Sequence, residues 1–152
     1  LRGNLDSLTA GSPIPFSQEL SHTRHYLELE QMRFGSRLNV IYDAPVTDFL
    51  IPPLTLQPIV ENAVRHGIVK REEGGTLTIS TAGTSEACTV TVTDDGIGFD
   101  PLKPMQDGKK HIGIQNVQKR LQTQCHAILT IRSAPGCGTV AVITLPRNTA
   151  GK

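Results

Sequence analysis

Four short stretches of the chain combine residue types able to hold a phosphorylated ligand. The first is LQPIVENAVRHG at 56–67. On a helix, Asn62, Arg65 and His66 fall at i, i+3 and i+4 and share one side. Glu61 and Arg65 form an i, i+4 pair beside them, while Leu56, Ile59, Val60, Ala63 and Val64 take the other side. An amide oxygen can ligate Mg²⁺, and a basic neighbour can meet phosphate oxygens. The second stretch is DDGIGF at 94–99. A carboxylate at Asp94 can accept a hydrogen bond from an exocyclic amine, and Gly96 and Gly98 permit a tight turn and close approach of a ligand. The third, HIGIQNVQKRL at 111–121, places Gly113 where a loop enters a helix, with Lys109 and Lys110 just upstream. Exposed N–H groups and the helix dipole at such a start suit an anion. The fourth, GCGTV at 136–140, brings Gly138 and the Thr139 hydroxyl to the opening of a strand. Taken singly, each has a plain reading: an amphipathic helix with a solvated face, a β-turn, a glycine easing helix entry, a hairpin turn.

The surrounding pattern predicts the elements that would bring these stretches together. Ser17 is placed to cap a helix running to Phe34, with Glu19 in its first turn and Leu20, Leu27 and Phe34 on one stripe. Gly35 ends it. Residues 38–42 read as a strand. Pro52 and Pro53 open a second helix reaching Ile68, with Pro58 in its first turns, where a missing N–H costs least. Residues 76–81 and 87–93 alternate and form a hairpin across AGTSE. Residues 94–112 lack periodicity and are rich in Gly, Pro, Asp and Lys, the mark of a functional loop. A third helix at 113–124 and strands at 127–133 and 138–145, joined by APGCG, complete the order. That order predicts an α+β fold: a two-layer sandwich with a mixed, mostly antiparallel sheet covered on one face by helices.

Composition agrees with one soluble domain of 152 residues, 38% hydrophobic and 19% charged. The formal net charge of +1 gives no reason to expect a nucleic-acid or membrane-surface partner. Cys88, Cys125 and Cys137 have no metal-ligand spacing and read as reduced thiols. No apolar run approaches the roughly 20 residues of a membrane span, and no signal peptide is visible. The lack of an initial methionine is read as the mark of a piece of a longer protein. Residues 1–16 are expected to be a linker or the end of an upstream helix, 17–146 the domain, and 147–152 a tail.

As an ordered set the four stretches resemble the nucleotide site shared by gyrase B, heat-shock chaperones, histidine kinases and MutL, the Bergerat-type ATP-binding fold. A narrower resemblance covers residues 14–146. HTRHYLELEQMRFGSRL, IPPLTLQPIVENAVRHGI, GIQNVQKRL and PGCGT are similar, in the same order, to segments of LytS/YehU-type sensor histidine kinases. That resemblance implies ATP and Mg²⁺ as cofactors. It matches Asn62 to the Mg²⁺ ligand and Asp94 to the acceptor of the adenine amine. Gly96, Gly98, Gly113 and Gly138 match the glycines of the pocket and its lid. Arg65 and His66 match a basic and a ring-bearing position lining the nucleotide, Lys109 and Lys110 fall in the lid, and Thr139 matches a threonine near the adenine. Glu61 is the nearest carboxylate for a general base.

Two departures stand out. His111 replaces the first glycine of the usual G-x-G, and Pro58 stands where many relatives carry a polar residue four before the asparagine. No phosphoacceptor segment is present. His22 and His25 lie in a region resembling the connector after it, and His126 reads as structural. The resemblance therefore implies a catalytic domain that phosphorylates a histidine on an upstream helix and is unable to label itself alone. It further implies a response regulator as the next acceptor, a homodimeric full-length protein, and a cytoplasmic domain of an inner-membrane-anchored bacterial kinase. The alternatives are a nucleotide-gated interaction module without phosphotransfer, or a serine kinase of the anti-sigma type, against which the first-helix region argues.

Overall fold

The computed structural model describes residues 12–100 and 112–147. The elements in chain order are β1 (Ile14–Pro15), α1 (Phe16–Phe34), β2 (Leu38–Asp43), β3 (Leu50–Ile51) and α2 (Leu56–Ala63). They are followed by β4 (Gly75–Gly83), β5 (Ala87–Asp94), α3 (Ile112–Cys125), β6 (Ile128–Ser133) and β7 (Thr139–Pro146). Five strands form one sheet in the order β2-β4-β5-β7-β6. β2 runs parallel to β4, and the other three pairings are antiparallel. This is the predicted mixed α+β sandwich.

Period-2 alternation explains which side of the sheet the helices cover. Leu77, Ile79 and Thr81 of β4 are buried, as are Cys88, Val90, Val92 and Asp94 of β5, and Ala141, Ile143 and Leu145 of β7. Facing them are Leu56, Ile59, Val60 and Ala63 of α2, Ile114, Val117 and Leu121 of α3, and Phe16, Leu20 and Leu27 of α1. Asp94 is therefore the last inward position of an apolar row, a carboxylate delivered to the core side by strand geometry. The opposite sheet face is rich in half-buried threonines, Thr78, Thr91 and Thr93 among them.

Three boundaries differ from the expectation, each for a tertiary reason. Ser17 does not cap α1. The helix begins at Phe16 with Pro15 in the cap position and no side-chain cap. Ile14 and Pro15, expected in the linker, pair with Ile51 and Leu50. The Phe16 N–H donates to the Phe49 carbonyl (2.8 Å), and the two rings stack with centroids 4.8 Å apart. Long-range pairing thus sets the helix start. Second, α2 begins at Leu56 rather than at the two prolines, and Pro52–Thr55 forms a turn in which Leu54 has φ +60°. Pro58 is the third residue of α2, where no intrahelical N–H is needed. Third, Arg147, expected in the tail, donates its N–H to the Glu86 carbonyl (2.8 Å) and its guanidinium to the Thr84 carbonyl (2.8 Å).

Glu19 makes the least expected connection. Instead of serving its own helix, its carboxylate, only 2% exposed, accepts from the N–H groups of Leu54 (3.2 Å), Thr55 (2.9 Å) and Leu56 (2.9 Å). An α1 side chain thereby satisfies the orphan donors that open α2.

Candidate nucleotide site

The site is built around the end of β5. Asp94 pairs with Leu77 of β4 and Thr139 of β7, and is 4% exposed. Its Oδ1 accepts from the Gly96 N–H at 2.8 Å. Burial pushes its carboxyl from the ordinary 3.8 up to about 6; the Gly96 N–H opposes the rise and the Asp95 charge adds to it. No cation pairs with this carboxylate among the described residues.

Glycines surround it because the backbones approach too closely for anything else. A Cβ on Gly67 would lie 2.9 Å from Asp94 Oδ1, and one on Gly96 would lie 2.2 Å from the Gly67 carbonyl carbon. A Cβ on Gly138 (φ +73°) would lie 2.2 Å from the Asp94 carbonyl oxygen. The Ile97 N–H donates to the Gly67 carbonyl (3.2 Å) and the Gly136 N–H to the Ile97 carbonyl (2.6 Å), tying the end of α2, the turn after β5 and the β6–β7 hairpin into one floor.

Gly67 reaches that position because the helix widens. Beyond Ala63 the chain makes one π-type turn, Val64–Ile68, closed by the Val69 N–H on the Val64 carbonyl at 3.0 Å. Such single wide turns insert one residue into the helix and recur at functional sites. The spacing of Asn62, Arg65 and His66 is therefore not that of a regular helix. Asn62 belongs to α2, whereas Arg65 and His66 lie in the wide turn, where each residue advances by a smaller angle. Arg65 is exposed and sits beside Tyr26 of α1. Burial pushes the Tyr26 hydroxyl up to about 12, the Glu30 charge adds to the rise, and Arg65 opposes it. His66 is half-buried.

Other predicted residues fall as follows. Asn62 and Glu61 are half-buried on α2, and Gln57 donates to Glu61 Oε2 at 3.0 Å. Gly98 (φ +68°) lies against the Ala134 carbonyl in the floor. Gly113 is the second residue of α3. Lys109, Lys110 and His111 lie outside the described residues, as does most of the expected lid. Thr139 is bonded to Ser133, a residue sequence reasoning did not single out. The Ser133 hydroxyl donates to the Gly138 carbonyl (2.9 Å) and accepts from the Phe99 N–H (2.9 Å). Its one hydrogen being used, the 2.8 Å contact with Thr139 Oγ1 has Thr139 as donor. The Thr139 oxygen then keeps its accepting lone pairs for a ligand or water. Gly67 was also missed as a site residue; its place in a contact with Asp94 has no local signal. Asp95, by contrast, is structural: it accepts from the Thr76 N–H at 2.7 Å, and Arg71 donates to its carbonyl.

At the end of β5 the structure thus brings together a buried carboxylate, with no cation paired to it among the described residues, and glycine backbones pressed against it. The family model for histidine kinase-, DNA gyrase B- and HSP90-like ATPases matches residues 53–149. The chain belongs to this ATPase family. Its relatives include YwpD of Bacillus subtilis, 36% identical over 91% of this chain and 52% of that protein. The sensor histidine kinase YpdA of Escherichia coli is 36% identical over 80% of this chain and 22% of its own length. The sensor protein LytS of Oceanobacillus iheyensis is 32% identical over 80% and 23%. The chain thus spans about half the length of YwpD and less than a quarter of those two sensor proteins. Among solved structures, the histidine kinase domain of a blue-light activated kinase from Erythrobacter litoralis superposes with a TM-score of 0.66 at 22% identity, covering 90% of this chain and 64% of that one. The mycobacterial sensor histidine kinase MprB gives 0.67 at 15% identity, covering 90% and 97%. The chain therefore has the ATP-binding fold of histidine kinase catalytic domains, as its motifs predicted.

In this ATPase domain Gly67→Ala tests the floor directly. The added methyl would meet the end of the Asp94 side chain and force it to move. Nucleotide affinity is expected to fall about tenfold, with a stability loss of about 1–2 kcal/mol. Calorimetric affinity equal to the unsubstituted domain would remove Gly67 from the site.

Proposed function

We propose that this domain binds Mg-ATP and passes the γ-phosphoryl group to a histidine on an upstream helix of the full protein. The observation carrying this reading is Asp94: a buried carboxylate with one oxygen committed to Gly96 and a second that the described residues leave without a cation. The adenine amine supplies the donor it needs. Thr139 lines the same end. The phosphates extend toward the α3 start at Gly113, whose N–H groups favour anions, with Lys109 and Lys110 upstream. Arg65 and His66 in the wide turn, with Gly98 and Gly138 in the floor, complete the surround.

The residues fit a magnesium ion by type. Mg²⁺ is commonly held by one or two protein oxygens together with substrate phosphates, and Asn62 offers an amide oxygen on the polar side of α2. The ion would supply charge neutralisation at the phosphates. The protein's own contribution is positioning and a low-dielectric, preorganised floor. Glu61, held by Gln57, is the carboxylate placed to receive a proton. Among the described residues no helix is long and apolar enough to cross a membrane. The membrane anchor, the homodimer and the response regulator belong to the proposed full-length kinase.

Calorimetry with ATP, GTP and Mg²⁺ tests the binding half of this reading. ATP is expected to bind and GTP to bind at least tenfold more weakly, because the guanine carbonyl oxygen would face the Asp94 carboxylate. Equal affinities would overturn it. Asn62→Ala is expected to abolish most of the Mg²⁺ dependence of ATP binding with an unchanged melting temperature. An unchanged Mg²⁺ titration would remove Asn62 as the ligand.

A further inference from the structure

At the end of the sheet opposite Asp94 lies a cavity of about 720 Å³. Strand register sets the separation. Cys88 of β5 pairs with Leu145 of β7, and six pairs further along the same two strands Asp94 pairs with Thr139. At roughly 3.3 Å per residue the two ends are about 20 Å apart. Cys88, Leu145 and Pro52, all three buried, line the cavity together with Phe49, Leu50 and Cys125. Its volume is that of a small-molecule pocket, about 300–1,000 Å³.

The thiols add to the apolar lining. Burial pushes both the Cys88 and the Cys125 thiol up, so near neutral pH they stay protonated. No three His, Cys, Asp or Glu side chains among the described residues are grouped to hold a metal ion. The two cysteines therefore serve as wall rather than as thiolate ligands.

Arg147 is the charged member of this lining. Its side chain is only 27% exposed. Its Nε donates to the Thr84 carbonyl at 2.8 Å, which fixes the guanidinium plane. The carboxylate paired with it among the described residues, Asp48, stands 3.9 Å from Nη2, beyond hydrogen-bond distance, and is itself 83% exposed. A largely buried cation with one neutral acceptor and one loose, solvated partner is costly to keep. The charge also reaches inward: Nη2 and the Cys88 Sγ lie 3.1 and 3.5 Å from the point where a Cβ on Gly83 would stand.

We infer that this cavity is a second ligand site, one for a small monocarboxylate with an apolar body. A guanidinium takes a carboxylate through two parallel N–H donors. A single cation beside Asp48 leaves no charge to balance a dianion such as a phosphate monoester. The apolar lining takes the body of the ligand, whose removal from water supplies most of the affinity. The site is independent of the kinase reading and stands even if the domain binds no nucleotide.

Decanoate, kept below its micelle concentration, is the probe, with decan-1-ol and decylammonium as its neutral and cationic counterparts. Titration calorimetry on the whole chain is expected to show one saturable equivalent of decanoate. Decan-1-ol is expected to bind at least tenfold more weakly, and decylammonium more weakly still. Arg147→Gln is expected to bring decanoate down to the affinity of decan-1-ol and to leave decan-1-ol as it was. Cys125→Phe fills the cavity from a half-buried position and is expected to weaken both at least tenfold. Melting curves check that each variant folds. A second measurement on the unsubstituted protein locates the ligand without any variant. Decanoate is expected to slow alkylation of Cys125 by iodoacetamide at least fivefold, while the exposed Cys137 reacts at an unchanged rate. Absence of saturable decanoate binding, equal affinity for the three probes, or Cys125 alkylation indifferent to decanoate would each overturn the site. So would a folded Arg147→Gln variant that keeps its preference for decanoate over decan-1-ol.

Discussion

Asp94→Asn is expected to weaken ATP binding by about 10- to 150-fold, the equivalent of about 1.5–3 kcal/mol for a hydrogen bond to a charged group. The same substitution is expected to raise the melting temperature at neutral pH. The two effects have one cause. Burial lifts the Asp94 carboxyl to about 6 in the folded domain, against an ordinary 3.8. Between about pH 4 and pH 6 the folded state holds this proton while the unfolded state releases it. Stability contributed by this group therefore falls as pH rises through that window and stays lowered above it. A neutral amide removes the penalty and keeps an oxygen for the Gly96 N–H. Affinity for ATP moves the other way: the free domain must lose the proton to accept the adenine amine, so binding weakens as pH drops through about 6. Paired calorimetry and thermal melts on both proteins, from pH 5 to 8, read out both trends. A variant that binds ATP normally, or wild-type affinity flat across pH 6, would sink the assignment.

Glu19→Ala is expected to cost about 3–5 kcal/mol. Three backbone donors, two of them with fully buried side chains, lose a charged acceptor at once, and the cost of stranding buried donors exceeds the net worth of the bonds. For a domain of this size the melting temperature should drop by about 10 °C. Glu19→Gln keeps one oxygen acceptor and should lose roughly half as much. Because the same carboxylate holds the start of α2, the alanine variant should also weaken ATP binding through misplacement of Asn62. A drop below about 2 °C would show that water replaces the carboxylate at little cost.

Much of this protein was legible along the chain because its signals are local. The alternation Cys88, Val90, Val92, Asp94 places the carboxylate on the buried side of a strand by period 2 alone. The apolar pattern of Leu56, Ile59, Val60 and Ala63 marks the core side of α2, and APGCG marks the turn between the last two strands. Strand pairing and helix amphipathicity follow from spacings of two to four residues, so the fold class needed no distant contact to be read.

What only the tertiary structure decided are the junctions. The start of α1 is set by Ile14 and Pro15 pairing with a strand more than thirty residues on, not by Ser17. The start of α2 is set by Glu19 from another helix. The wide turn at Val64–Ile68 brings Gly67 against Asp94. Ser133 fixes the hydrogen on Thr139, and Arg120 holds Leu54 in its strained pose. Each of these joins groups far apart in sequence whose local propensities point elsewhere. Propensity decides an element's interior, but an element's end is where unsatisfied backbone donors and acceptors accumulate. In this fold those ends find their partners on other elements, so only the folded chain could say where each helix begins and which way its last residues face.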